Sequence, residues 1–274
     1  MKFVYFLTFF ILLFTACQEN KATTSNEVAE LPKVKVLETP KSQFVRQLEK
    51  AHHVSDFQEK YALAFDIKLI WGGKPSLDAT ITSTTNSTKV RLDKADNTTN
   101  TTAIYDGEKV YFAPDSIDAG GARFSIFTWQ YFVMAPFKFS DPGTNWQMLG
   151  MRNLEPDQPL DAAKLTFGDG VGDAPDDWYI AFKSPNTNLT EGMAYIVTGG
   201  TRTQEEAEQK ISAVTYHDYQ EVDGIPIPMK MKFWYYDMKI GLQDQKGEAE
   251  VSNVRFLTSA EADFAVPENS KLLE

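Results

Sequence analysis

Cysteine is all but missing from this chain: Cys17 is the only one in 274 residues. One thiol makes no internal disulfide and no thiolate metal cluster. Histidine is nearly as scarce, with only His52, His53 and His217. The H-E-x-x-H, G-x-S-x-G and S-x-x-K patterns that arm hydrolases do not occur. Basic residues are in deficit too, 27 Lys and Arg against 38 Asp and Glu, for a formal charge of −11. That balance argues against nucleic acid, whose phosphates demand basic neutralisation, and gives no electrostatic grip on anionic lipid. Disorder is excluded by the opposite kind of count, since 42% of residues are hydrophobic and 13% aromatic. Such a chain can hold itself together by burial alone.

Long apolar runs are confined to the beginning. Lys2 supplies a positive start, Val4 to Phe14 is almost unbroken apolar sequence, and Thr15-Ala16 precedes Cys17. Residues 1–16 therefore read as a secretory signal, too short to span a bilayer stably. The small pair followed by cysteine resembles the bacterial lipobox, with Phe14 where leucine is more frequent. On that resemblance Cys17 is acylated and becomes the first residue of the mature chain. Its loss as a free thiol removes the last cysteine chemistry, and the acyl chains become the anchor. Gln18 follows, not the aspartate that retains such proteins in the inner membrane, so an outer-membrane anchor is expected, facing periplasm or cell surface. Residues 17–40 are polar and aperiodic with Pro32 and Pro40, a tether whose reach as a flexible coil is roughly 25–30 Å.

From residue 41 to 274 the pattern is that of one domain. Ser42 reads as an N-cap, and Phe44, Val45, Leu48 and Ala51 form the apolar stripe of a helix reaching about His53. The period then becomes two. Tyr61, Leu63, Phe65, Ile67, Leu69 and Trp71 alternate with Ala62, Ala64, Asp66, Lys68 and Ile70, and Gly72-Gly73 turns the chain back. Residues 77–81 and 89–93 repeat the pattern. Asp106-Gly107 and Asp223-Gly224 read as hairpin turns of the tight type I′ kind. Beyond the second, Ile227, Met229, Met231, Phe233 and Tyr235 share a face against Lys230, Lys232, Trp234 and Tyr236. Phe124 to Ala135 is apolar almost all the way round; as a helix it must be covered on both sides. Residues 203–210, rich in Glu and Gln, read as a surface turn of helix or a long loop. The fold class expected is mainly β (α+β): a curved antiparallel half-barrel sheet with an N-terminal helix and a short apolar lid helix.

Little in the sequence carries chemistry. His52 and His53 close a helix, where the C-terminal dipole favours partial positive charge, and a ligand role would require one of them to meet His217. Gly168-Asp169-Gly170-Val171-Gly172-Asp173 imitates a phosphate loop but fails on spacing and on charge. Asp169, Asp173, Asp176 and Asp177 offer oxygen ligands to calcium; the D-x-[DN]-x-[DN]-G order is absent and Pro175 stiffens the run, so a solvated loop is the default. Neither a metal nor a cofactor is expected. Asn97, Asn100 and Asn188 mark exposed polar loops, and Asp115-Ser116-Ile117 resembles a short bacterial O-glycosylation motif at Ser116.

The order of elements carries a resemblance. The helix ending Ala51-His52-His53 leads to a strand closing on Trp71-Gly72-Gly73. Asp106-Gly107, Ala135-Pro136-Phe137, Asp141-Pro142-Gly143 and Asp223-Gly224-Ile225-Pro226 follow in turn. Over residues 42–258 this resembles a family of uncharacterised Gram-negative lipoproteins, distantly similar to the periplasmic and outer-membrane lipoprotein-sorting carriers (LolA/LolB-like). In those carriers an incompletely closed sheet wraps an apolar cavity that helices lid. The resemblance implies that Phe65, Ile67, Leu69, Met229, Met231 and Phe233 line a cavity, with Phe127, Trp129 and Phe132 on the lid; the alternative for each is plain packed core. The receptor's exposed lipid-inserting loop has no clear counterpart here.

Three functions follow as expectations. The first is a non-enzymatic, membrane-anchored binding module for a lipid or other apolar ligand in the cell envelope. The second is a structural or interaction subunit of an envelope assembly, with a filled core and Trp234 and Tyr236 as a contact patch. The third is a hydrolase built on the acidic loop 169–177, which lacks a base.

Overall fold

The computed structural model describes residues 40–94, 99–168, 176–199 and 202–273. Cys17, the signal segment and the tether up to residue 39 lie outside the described residues, as do Asn97, Asp169 and Asp173; Pro40, expected to end the tether, already belongs to the first helix.

The chain opens with α1 (Pro40–Ala51) and α2 (Val54–Glu59), divided where His53 takes a left-handed conformation at φ 53°. The first helix thus begins two residues before Ser42, which lies inside its first turn and not at its cap. Five strands follow: β1 (Ala62–Trp71), β2 (Lys74–Thr84), β3 (Val90–Lys94), β4 (Thr101–Tyr105) and β5 (Val110–Ala113). Next come α3 (Ala122–Met134) and a 3₁₀ turn, Ala135–Phe137, where Pro136 stops the α-helix. A second meander contains β6 (Thr144–Glu155), β7 (Gln158–Phe167), β8 (Tyr179–Lys183) and β9 (Thr190–Tyr195). After α4 (Gln204–Glu208) it continues through β10 (Ser212–Val222), β11 (Ile225–Asp237) and β12 (Gly241–Leu257), and β13 (Lys271–Leu273) ends the chain.

All thirteen strands join one antiparallel sheet in the order β13-β5-β4-β3-β2-β1-β12-β11-β10-β9-β8-β7-β6. The two meanders meet where β1 pairs with β12, and the sheet stays open because β13 and β6 are its unpaired edges. Residues from Leu257 run back across the sheet to bring β13 onto β5, with Arg91 held to Asp263 at 2.9 Å on the way. The expected half-barrel is therefore present: a curved, unclosed, mainly β fold with few helices.

Turn chemistry sets the registers. Gly72 and Gly73, at φ 56° and 74°, join β1 to β2, and Asp223 and Gly224, at φ 51° and 78°, join β10 to β11. Both turns have two residues with positive φ, as type I′ requires. The Asp106-Gly107 turn is longer. Tyr105 pairs with Val110, leaving a four-residue loop in which the Asp106 carboxylate accepts from the Glu108 and Lys109 amides, both at 2.8 Å. A side-chain-capped Asx turn has replaced the tight backbone turn.

The alternating residues of β1 do what a half-buried strand demands: Leu63, Phe65, Ile67 and Leu69 are buried, while Lys68 and Ile70 are exposed. They join Ile81, Val251, Met231, Phe233 and Val214 in the main core under α3. On β8 to β10 the other face is covered as well. There Ile180, Phe182, Ala194 and Ala213 pack into a second cluster with Leu154, Trp178, Ala207 and Tyr236. Leu154 reaches that cluster because the end of β6 folds over the back of the sheet. A Cβ on Gly241 would stand 2.5 Å from the Leu154 carbonyl oxygen, so only glycine permits the approach. Strands buried on both faces lose the period-two signal.

Candidate functional site

Helix α3 fills only part of the sheet's concave side. It packs on β2, β3 and β4, and beyond it lies a cavity of about 820 Å³. From the helix, Phe127, Trp129, Tyr131 and Phe132 border the space. The facing wall is built by Trp71 of β1, Phe233 of β11, Tyr195 of β9, Tyr179 of β8 and Phe167 of β7, with Val197 just past β9. The helix is apolar on nearly every side because it faces packed core on one side and this aromatic wall on another.

The rings form a connected lining. Trp129 stands edge-on to Phe233 with centroids 5.7 Å apart, Phe132 lies 5.0 Å from Tyr195, and Tyr131 lies 5.4 Å from Tyr179. Trp71 closes one side, 5.5 Å from Phe233. It lies across Gly247 of β12, where a Cβ would come 2.6 Å from the indole. Phe124 also borders the cavity and is 56% exposed, so the space is open to solvent there.

Charged groups collect at one end. Lys138, directly after the 3₁₀ turn, is buried and its ammonium donates to Asp141 Oδ2 at 2.9 Å. Asp177 is buried as well, and its Oδ1 accepts from both the amide and the hydroxyl of Thr198 at 2.8 Å. Burial pushes the Asp177 carboxyl up, with the Thr198 hydrogen bonds opposing it. Burial also raises the phenols of Tyr131, Tyr179 and Tyr195, keeping all three protonated. The site can thus receive an apolar body along its rings and a polar group at the Asp177 end.

The residues expected at a cavity divide. Phe233, Phe127, Trp129 and Phe132 all border it. Phe65, Ile67, Leu69 and Met231 are buried in the main core, away from this space, and Met229 packs against that core half-buried. Trp234 and Tyr236, expected as an outer contact patch, are not a free surface. Both belong to the second cluster, with Tyr236 donating to the Asn153 carbonyl at 2.7 Å and Trp234 to Thr215 at 3.0 Å. Of the acidic loop, Asp176 is exposed and Asp177 turns inward to Thr198. Ser116 is exposed in the turn after β5. His52 and His217 are each held by a threonine, and among the described residues no group of three His, Cys, Asp or Glu is set to hold a metal.

Sequence reasoning missed Tyr131, Tyr179 and Tyr195, and it weighed Asp177 as a calcium ligand or part of a hydrolase loop, not as a cavity residue. Tyr179 opens β8 and Tyr195 closes β9, with Asp177 two residues before the one and Val197 two residues after the other. Nothing in the sequence shows that these residues meet α3.

No family model matches this sequence, and no curated protein matches it either. Its fold does have solved counterparts. A LolA superfamily protein from Nitrosomonas europaea superposes with a TM-score of 0.52 at 11% identity, covering 80% of this chain and 95% of that one. A DUF1329 family protein from Desulfovibrio piger gives 0.42 at 10% identity, covering 78% and 95%. A domain described as an outer membrane lipoprotein-sorting protein, from Vibrio parahaemolyticus, gives 0.40 at 12%, covering 79% and 94%. The fold is LolA-like, as the order of elements in the sequence implied.

Proposed function

We propose that this protein is a non-enzymatic binding module of the cell envelope, taking a lipid or other apolar ligand between α3 and the aromatic wall of its sheet. In this reading Cys17 carries the acyl anchor to the outer membrane, residues 17–39 form the tether, and the domain from residue 40 does the binding. One observation carries it: a cavity of about 820 Å³ lined by aromatic rings from α3 and at least five strands. That volume falls in the range of small-molecule sites, which are mostly apolar with few placed polar groups. The LolA-like fold supports the same reading, since a half-open sheet with a helix across it leaves such a space by construction.

Binding is tested with the neutral fluorescent probe N-phenyl-1-naphthylamine and by native mass spectrometry of gently purified protein. Saturable probe fluorescence, and a co-purified lipid, are expected. Val197 is small and borders the cavity. Val197→Trp should therefore abolish probe binding while leaving the melting temperature near the wild-type value. Probe binding that survives this filling, or that never saturates, sinks the proposal.

A further inference from the structure

The polar end of the cavity is unevenly charged, and that unevenness selects a ligand class. Lys138 is buried but spent, because its ammonium is paired with Asp141 at 2.9 Å. Arg123 lies at another part of the lining, its guanidinium over the Phe127 ring at 5.2 Å. Lys246, the cation beside the aromatic wall, is occupied as well. It donates to Ser212 at 2.8 Å, lies over the rings of Trp71 and Tyr235, and does not border the cavity. Asp177 is the exception. At 7% exposure it borders the cavity, and the described cation that acts on its charge is Arg202, which makes no direct ion pair with it, while Asp176 opposes that influence. Among the described residues Thr198 takes up one of its oxygens, Oδ1. A buried carboxylate in that position has acceptor capacity left over and repels a second anion.

We propose that the cavity selects amphiphiles whose head group donates hydrogen bonds without carrying negative charge: hydroxyl, amide or ammonium heads, seated against Asp177, in preference to phosphate heads. This rests on the apolar-ligand reading above and adds the head-group class to it. The acyl or other apolar body lies along Phe132, Tyr195 and Phe233. The head reaches Asp177, with the Tyr131 and Tyr179 hydroxyls beside it to donate or accept. An anionic head would have to draw Lys138 away from Asp141 or stand against the Asp177 carboxylate with only Arg202, not ion-paired to it, to offset the repulsion, and both lose more than they gain in a site of low dielectric.

The test uses the full chain with N-phenyl-1-naphthylamine bound, displaced by amphiphiles sharing one alkyl length: dodecylamine, monododecanoylglycerol and dodecyl phosphate. The amine and the glycerol ester should displace the probe at concentrations about tenfold lower than the phosphate. Asp177→Asn keeps an oxygen for Thr198 and removes the charge, and should bring the three competitors close together. Equal or better displacement by the phosphate in the wild type overturns the head-group assignment while leaving the carrier reading standing. So does a preference that persists unchanged in Asp177→Asn. Failure of the probe to bind wild type overturns both. The wild-type series decides the matter alone if the variant does not fold.

Discussion

His52 sits fully buried where α1 ends, with its Nε2 3.0 Å from the Thr190 amide. The amide donates, so Nε2 accepts and the ring proton is on Nδ1, which has no hydrogen-bond partner among the described residues, and the ring lies by those of Phe137 and Tyr219. Protonating Nε2 would set two donors against each other in an apolar surround. Burial, with His53 adding repulsion, accordingly pushes the His52 pKa down to about 3 from 6.5. The unfolded chain takes up the proton first, so this group's stabilising contribution is complete above pH 6.5 and is lost as pH falls towards 3. At about 1.4 kcal/mol per unit the loss is on the order of 4–5 kcal/mol across that window. His52→Gln should flatten the acid dependence, so the gap in melting temperature between wild type and variant narrows from neutral pH to pH 4. Gly247 offers a second check at this scale. Its Cβ would meet the Ile70 carbonyl oxygen at 2.5 Å as well as the Trp71 ring. Gly247→Ala must therefore shift backbone, at about 1–3 kcal/mol, and would tilt Trp71 out of the cavity wall. Urea denaturation and tryptophan emission report the two effects separately.

At the scale of elements, the helices do unequal work. The segment α1–α2 is locked to the 3₁₀ turn by Phe57 lying flat on Phe137 at 4.1 Å, and to β6 by Phe44 packing at a tilt on Trp146 at 6.0 Å. Lys183 of β8 adds a hydrogen bond to Gln47 of α1 and lies over the Phe44 ring. Phe137→Ala should cost about 3–5 kcal/mol, the usual loss for a buried phenylalanine left as a void. Helix α3 has open space on one side, and Phe124, which borders that space, is 56% exposed. Phe124→Ala should stay within about 0.5 kcal/mol of wild type. Chemical denaturation of the pair gives the contrast; comparable losses would mean that α3 is as tightly packed as α1. The short α4 is fixed differently, by a capping box between Thr203 and Glu206 and by Glu208 accepting from the Trp178 indole at 2.9 Å.

For the whole molecule, an open sheet with a hollow beside its helix is stabilised by whatever fills that hollow. A ligand at a hundred times its dissociation constant adds about 2.7 kcal/mol to the folded state. For a domain of this size that corresponds to a rise in Tm of roughly 5–10 °C. Differential scanning with and without saturating monododecanoylglycerol measures it directly, and an unchanged Tm would mean the cavity stays empty.

Alternation in the sequence decided the element types. A period of two in β1 and β11, paired glycines or Asp-Gly at the turns, and an apolar run stopped by Pro136 each act within a few residues, so they can be read without neighbours. The half-barrel followed from those elements, and so did the candidacy of Phe127, Trp129, Phe132 and Phe233. Tertiary structure alone decided which apolar faces meet solid core and which meet space. Phe65 and Phe233 lie on strands with the same alternating pattern, yet only Phe233 borders the cavity, because α3 packs on β2 to β4 and leaves open the wall that β7, β8, β9 and β11 supply. Tyr179, Tyr195 and Asp177 border that same gap. Whether a buried side chain touches a neighbour or a void depends on contacts between segments far apart in the chain, and no local pattern encodes that distance.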